Sequence, residues 1–260
     1  MRTLSVTLAI MLASSAFNFP GLGTLINIAT ILIGTIIGIF VGERLKEDTR
    51  SLITDVLGLV TMLGAASAIA PLFTGRFAAE LPKGWSTMPI LLALLVGGIF
   101  GSIINLEGKV EDFGGFLKRK FRAREGSFVE GFLDASLLFA IGPLAILGSI
   151  SDGMGTGIDQ LILKSTLDGF ASIAFASSLG WGVAASAIPV GIYQGTWTLI
   201  GLFLGNIMAD YQVDAMTITG GLLLLAIGMR LLKIKMVPVG NLLPALFLAP
   251  VFALVAHQFL

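Results

Sequence analysis

Eight stretches of roughly 20 predominantly apolar residues follow one another along this chain, at about 21–41, 52–72, 88–106, 131–150, 160–179, 184–206, 216–232 and 238–258. A run of that length is what an α-helix needs to cross the hydrocarbon core of a bilayer. A chain built almost wholly of such runs leaves nothing for a water-soluble core. Composition agrees: 55 % of the 260 residues are hydrophobic and 12 % are charged, with a mean hydropathy of +0.95, whereas soluble domains carry about a quarter charged residues. The expected fold is all-α, a polytopic transmembrane helix bundle of about eight spans forming a single transmembrane domain over 20–260. The chain has no cysteine, which excludes disulfides, thiolate nucleophiles and Cys-based metal or Fe–S centres.

Residues 1–19 read as a separate, signal-like extension. In "MRTLSVTLAIMLASSAFNFP", Arg2 precedes an apolar run from Leu4 to Leu12 and the small residues Ala13 to Ala16, the order of a secretory signal. A short uncleaved helix and a start placed too far upstream fit the same residues. All three readings leave the beginning of 21–41 on the outer face. The basic residues sort accordingly: 12 of the 16 lie in the segments 42–51, 107–130 and 230–237, while only Arg2, Arg76 and Lys83 fall opposite and Lys164 sits inside a span. The positive-inside rule then puts those three segments in the cytoplasm and the C-terminus outside. The run "KRKFRAR" at 118–124 is read as part of such a segment, set against anionic headgroups, and not as a nucleic-acid site.

An internal repeat is also expected. "TIIGIFVGERLKEDTRSLITDVLGL" (35–59) lies without a gap over "TLIGLFLGNIMADYQVDAMTITGGL" (198–222), with eight identities in 25 positions, among them Gly38/Gly201, Gly42/Gly205 and Gly58/Gly221. The first copy crosses inward and the second outward, as an inverted repeat requires. Gly34, Gly38 and Gly42, spaced by four, and likewise Gly97 and Gly101, form faces on which two helix backbones can approach closely.

Chemistry in such a chain is sought among polar residues at membrane depth, which are costly and turn toward a cavity or one another. Gly142-Pro143 falls in the middle of the fourth span, where proline removes a donor and clashes with the preceding turn; a kink or break is expected there. Pro189 stands similarly in the sixth span, one turn before Tyr193 and Gln194. Lys164 and Asp168 are four apart, so they share a helix face and can pair, either as a structural staple or as a substrate, ion or proton site. Asn27, with Thr24 and Thr30, makes a neutral polar stripe in the first span. Asp134, one turn from Glu130, reads as part of a solvated helix entrance. "GMGTG" (153–157) lacks the Gly-Lys order of a phosphate loop, and His257, the sole histidine, excludes a histidine metal cluster or a Ser-His triad.

Taken together, "GLGTLINIATILIGTIIGIFVGERL", "DVLGLVTMLGA", "FVEGFLDASLLFAIGPLAILGSISDG", "LILKSTLDGFASIAFASSLGWGV" with "YQG", and "GGLLLLAIGMRLLKIKMVPVGNLLPAL" resemble the DUF554 family of prokaryotic integral membrane proteins over about residues 21–250. The resemblance implies a cytoplasmic (inner) membrane protein that transports a substrate not yet defined. It singles out Asn27, the Gly142, Pro143 and Gly148 core, and the Lys164, Ser165 and Asp168 group. It gives Asp134 less weight and leaves the extension 1–19 outside the family pattern. The candidate binding residues are thus Asn27, Gly142, Pro143, Lys164, Ser165, Asp168, Tyr193 and Gln194. The implied partners are the lipid bilayer, a small ion or metabolite and, as an open alternative, a second copy of the chain in a homo-oligomer. No cofactor, metal, nucleic acid or catalytic constellation is expected, and the competing function class is a membrane-embedded enzyme or assembly factor.

Overall fold

Helix α1 (Leu22–Gly42) turns its large apolar side chains outward and its small and polar ones inward. Leu25, Ile33, Ile36 and Phe40 are exposed, whereas Thr24, Asn27, Ile31, Gly34, Thr35 and Gly38 are buried. This is the reverse of a water-soluble amphipathic helix and fits a solvent that is itself apolar. The same inversion recurs in the helix Asp159–Leu179. The computed structural model describes residues 19–81, 84–120, 127–140, 143–204 and 208–259. The extension 1–18 and Gly142, Gly205, Lys83, Arg122 and Arg124, on which parts of the sequence reading fall, lie outside them.

Helix α2 (Glu47–Phe73) begins five residues before its apolar run, because Glu47 and Asp48 favour the positive end of the helix dipole. After the short α3 (Arg76–Ala79), α4 (Met88–Ile103) turns by 56° into α5 (Leu106–Lys120). The segment 107–130, expected as a loop, is therefore helical up to Lys120. Its apolar positions with Glu107, Lys109, Glu111 and Lys118 between them carry the helical period, which a hydropathy window too wide for one turn averages away.

The fourth apolar stretch is divided into α6 (Phe128–Ala140) and α7 (Pro143–Gly153), whose axes differ by 63°. Pro143 opens α7, the one helical position where its missing N–H costs nothing. Helix α8 (Asp159–Leu179) matches the fifth stretch. The sixth is split into α9 (Gly182–Ala185) and α10 (Ala187–Leu204). Helix α11 (Asp210–Leu231) starts six residues ahead of its apolar run, where Gln212 Oε1 accepts from the Ala209 N–H at 2.9 Å. The last stretch holds α12 (Val239–Leu242) and α13 (Pro244–Phe259).

Among the described residues there is no strand, and the molecule is an all-α helical bundle. Four helical segments, Leu22–Gly42, Glu47–Ala79, Asp210–Leu231 and Val239–Gln258, are long and apolar enough to cross a membrane, and the two bent pairs raise the count to six. Helices α8 and α10 are not among them. Helix α11 sits at the centre, with 72 % of its apolar window buried against 17 % for α2.

Close approaches fix the relative directions. Gly23 of α1 faces Leu161 of α8, Gly34 faces Gly169 and Ser172, and Gly42 faces Ser177, so these two helices run parallel. Gly58 of α2 faces Gly228 of α11 and Leu232 just past its end, and Gly221 of α11 faces Ala65 and Ile69 of α2, so this pair is antiparallel. Each of these partners is related to its counterpart by the same shift of 163 residues that aligns the two sequence copies. Gly97 and Gly101 of α4 pack on Ala245 and Asn241, again with opposite sense, and Gly201 of α10 packs on Ile150 of α7.

Candidate functional site

Three helices bring a buried polar network together in the half of the bundle nearer the start of α1. Asn27 projects from the buried face of α1, Lys164 and Asp168 from α8, and Gln194 from α10. Asn27 and Gln194 are fully enclosed, and Lys164 and Asp168 are 5 % and 8 % exposed. Lys164 Nζ forms an ion pair with Asp168 Oδ2 along one helix face, so the lysine does not reach out to the membrane surface. The same carboxylate oxygen accepts from Asn27 Nδ2 at 2.9 Å, and Asn27 Nδ2 also approaches Gln194 Oε1 at 3.4 Å.

The carboxylate fixes the orientation of both amides, since only the Nδ2 end of Asn27 can donate to Asp168 and only the oxygen end of Gln194 can then face that nitrogen. The consequence is a donor and an acceptor left over. Asn27 Oδ1 and Gln194 Nε2 are buried without a hydrogen-bond partner, and so are the hydroxyls of Thr24 and Thr35 on α1 and Ser172 on α8. Buried polar groups in native proteins are normally satisfied, and each exception calls for a reason. Here the five exceptions come from α1, α8 and α10, and two of them, Asn27 Oδ1 and Gln194 Nε2, belong to the network itself.

The remaining expected residues fall around this network in different ways. Ser165 is buried but its hydroxyl donates to Leu161 O at 2.6 Å, within its own helix. Thr30 likewise donates to Asn27 O at 2.9 Å. Pro143 stands at the break between α6 and α7. Tyr193, one residue before Gln194, leaves the helix in another direction: it meets Trp197 edge-on and lines an apolar cavity of about 350 Å³ with Phe113, Phe132 and Leu246. The structure thus joins Asn27, Lys164, Asp168 and Gln194 and separates Tyr193 from them.

Asp134 is not at a solvated entrance. It is 1 % exposed, because α5, α9, α10 and α11 all close over α6. Its neighbour is Arg230 of α11, whose Nε lies 3.6 Å from Asp134 Oδ1 and whose Nη1 donates to Glu107 Oε1 at 2.5 Å. Arg230, counted in the sequence among the basic loop residues, is therefore a buried member of α11.

Two further polar contacts escaped the sequence reading. Asp152, at the end of α7, accepts from the N–H groups of Gly21 and Gly23 at 3.2 and 3.1 Å and so caps α1. Glu107 and Asn241 cap each other's helices: Asn241 Oδ1 accepts from the Glu107 N–H at 2.9 Å, and Glu107 Oε2 accepts from the Gly240 N–H. Both link segments about 130 residues apart, and no local pattern announces such a pairing.

A helical bundle with an apolar exterior and a charged, hydrogen-bonded interior is a membrane protein of the polytopic class. The chain belongs to the family described as "Protein of unknown function (DUF554)", whose model matches residues 22–254. It is 31 % identical over 237 residues to the "Uncharacterized membrane protein YdfK" of Bacillus subtilis (strain 168), covering 91 % of this chain and 97 % of that one. It is 35 % identical over 239 residues to the "Uncharacterized protein YqgA" of Escherichia coli (strain K12), covering 88 % and 94 % respectively. No solved structure matches the chain.

Proposed function

We propose that the chain is a secondary transporter or channel of the prokaryotic inner membrane, that it carries a small ion or metabolite, and that Asn27, Lys164, Asp168 and Gln194 form its binding site. One observation carries the reading: the network keeps a buried donor on Gln194 and a buried acceptor on Asn27 without partners, beside a pair of opposite charges. A purely structural staple has no use for the two unmet groups, whereas a solute that passes through can meet them. The Lys164–Asp168 pair is net neutral, so it can hand its salt bridge to a solute at little net cost in buried charge. A solute with a donor and an acceptor, or with both signs of charge, suits it best.

The helix directions support an inverted repeat as the scaffold. The antiparallel contact of α2 with α11 is reciprocal under the 163-residue shift, and the break between α6 and α7 supplies the freed helix ends found near midplane sites in such folds. With the C-terminus outside, α1 enters from the outer face.

The test uses reconstituted protein in a flux screen against monovalent ions and small polar metabolites, with thermal stability measured on the same samples. The double change Lys164→Met with Asp168→Leu removes both charges together and is expected to fold yet abolish flux. Wild-type flux in that double mutant would sink the site.

A further inference from the structure

Under the basic face of the bundle, where α1 turns into α2 and α11 ends, a second buried charge cluster is unbalanced. Glu107, Asp134 and Arg230 bring two carboxyls to one guanidinium, with side chains 13 %, 2 % and 7 % exposed. Glu107 is fully held, by Arg230 Nη1 through one oxygen and by the Gly240 N–H through the other. Arg230 also donates to Val237 O at 3.2 Å. What is left over falls on Asp134: its Oδ1 and Arg230 Nε are both buried and make no hydrogen bond, and the 3.6 Å between them exceeds hydrogen-bond range. One positive charge does not neutralise two enclosed carboxylates, and a buried carboxyl lacking a counter-charge of its own is relieved by taking up a proton.

A group able to relay that proton lies one turn away on the same helix. Glu130, one turn before Asp134 on α6, lines a polar cavity of about 630 Å³ together with Ser127, Thr54, Asp55 and Lys233. Lys233 follows Arg230 by three residues, so a charged layer at the cavity wall, Glu130 and Lys233, covers the buried layer of Asp134 and Arg230. Of α5, Glu107 lies near Asp134, Glu111 lies near Arg230, and Lys109 lines the apolar cavity with Phe132 and Ser136, while α2 presents Glu47 and Asp55 across the polar cavity. At this end α8 brings only Ser177 and Ser178, α9 is Gly-Val-Ala-Ala, and α10 brings Tyr193.

We propose that Asp134 is a proton-binding site, loaded from the cavity through Glu130 and emptied by competition with Glu107 for Arg230. Loading forms an O–H bond on Asp134 and leaves Glu107 and Arg230 as a neutral pair. Unloading breaks that bond, returns the proton to Glu130 or cavity water, and makes Arg230 serve two carboxylates. Because Arg230 also holds the start of α5 and the segment before α12, the proton bears on the bend between α4 and α5 and on the junction with α13. This inference is independent of the transport site above and of any solute.

The test is infrared spectroscopy of the full chain in phosphatidylcholine vesicles, titrated from acid to neutral pH. Wild-type protein is expected to keep one protonated-carboxyl absorption at neutral pH. Asp134→Asn should delete that absorption, Glu111→Gln should leave it, and Glu107→Gln should move its loss to more acid pH, since Arg230 is then free for Asp134. Asn is a neutral isostere of the loaded carboxyl, so Asp134→Asn should keep the wild-type Tm within about 2 °C at neutral pH. Absence of the absorption in wild type, its survival in Asp134→Asn, or failure of Asp134→Asn to fold would each overturn the proposal.

Discussion

At the residue scale, the energetics of this protein turn on who partners the few buried charges. Asp168→Asn leaves Lys164 enclosed without a counter-charge, and removing one partner of a buried pair typically costs about 3–5 kcal/mol. That variant is expected to lose stability steeply, while Lys164→Met with Asp168→Leu recovers it; thermal unfolding of both in the same detergent reads the difference. Asp152 offers a milder case. Its carboxylate caps two N–H groups at the start of α1, so Asp152→Ala should cost about 0.5–2 kcal/mol and expose the amides of residues 21–24 to faster hydrogen exchange. Unchanged exchange there would mean that the cap is not what holds the helix end. The Lys164–Asp168 pair was legible because both members lie on one helix turn, and Asn27 because a lone amide stands out in an apolar run. Gln194's part in the network needed the third dimension, and so did the partners of Asp134, Arg230 and Glu107, which lie about 95 to 135 residues away in the chain. Without that distance information, a carboxyl one turn from Glu130 looks like part of a wet helix end.

At the scale of elements, the glycine spacing foretold a close contact but not its partner. A Cβ on Gly42 would lie 2.5 Å from Ser177 O, and one on Gly38 would fall inside the van der Waals shell of Ile173 O. Gly38→Leu is therefore expected to force α1 off α8 and lower stability by about 1–3 kcal/mol or more, the range for overpacking. Gly64 of α2 is the control, since a Cβ there meets nothing within 4 Å. Gly64→Ala should be neutral or stabilising by up to about 1 kcal/mol through helix propensity. Equal losses at the two positions would show that packing is not what the spacing encodes. The break between α6 and α7 was legible for a local reason, the proline that opens α7. Helix starts were read too late at α2 and α11 because their first turns are charged, and hydropathy marks where a helix enters lipid, not where it begins. The helix α5 was missed for the same reason.

For the whole molecule, the directions of the packed pairs bear on topology independently of charge. In a chain that crosses eight times, the first and fifth crossings run the same way, the second and seventh oppositely, and the third and eighth oppositely. Helices α1 and α8, α2 and α11, and α4 and α13 stand in those relations. Arg230 no longer counts as a loop charge, so the expected cytoplasmic face rests on Arg44, Lys46, Lys118, Arg119, Lys120, Lys233 and Lys235 among the described residues. The chain holds no cysteine, so single cysteines report side without background. Thr156→Cys, in the turn between α7 and α8, should react with a membrane-impermeant maleimide in intact cells, and Lys46→Cys and Lys235→Cys should react only after permeabilisation. A reporter after Leu260 should be active only where it functions outside the cytoplasm. With residue 156 outside, that result requires an even number of crossings after α7, which α8, α10, α11 and α13 together supply. A cytoplasmic C-terminus beside an outside residue 156 would mean that one of these four does not cross. Since α8 and α10 fall outside the helices that are apolar enough to span unaided, they would be the two to examine, and the repeat would lose the opposed orientation it needs.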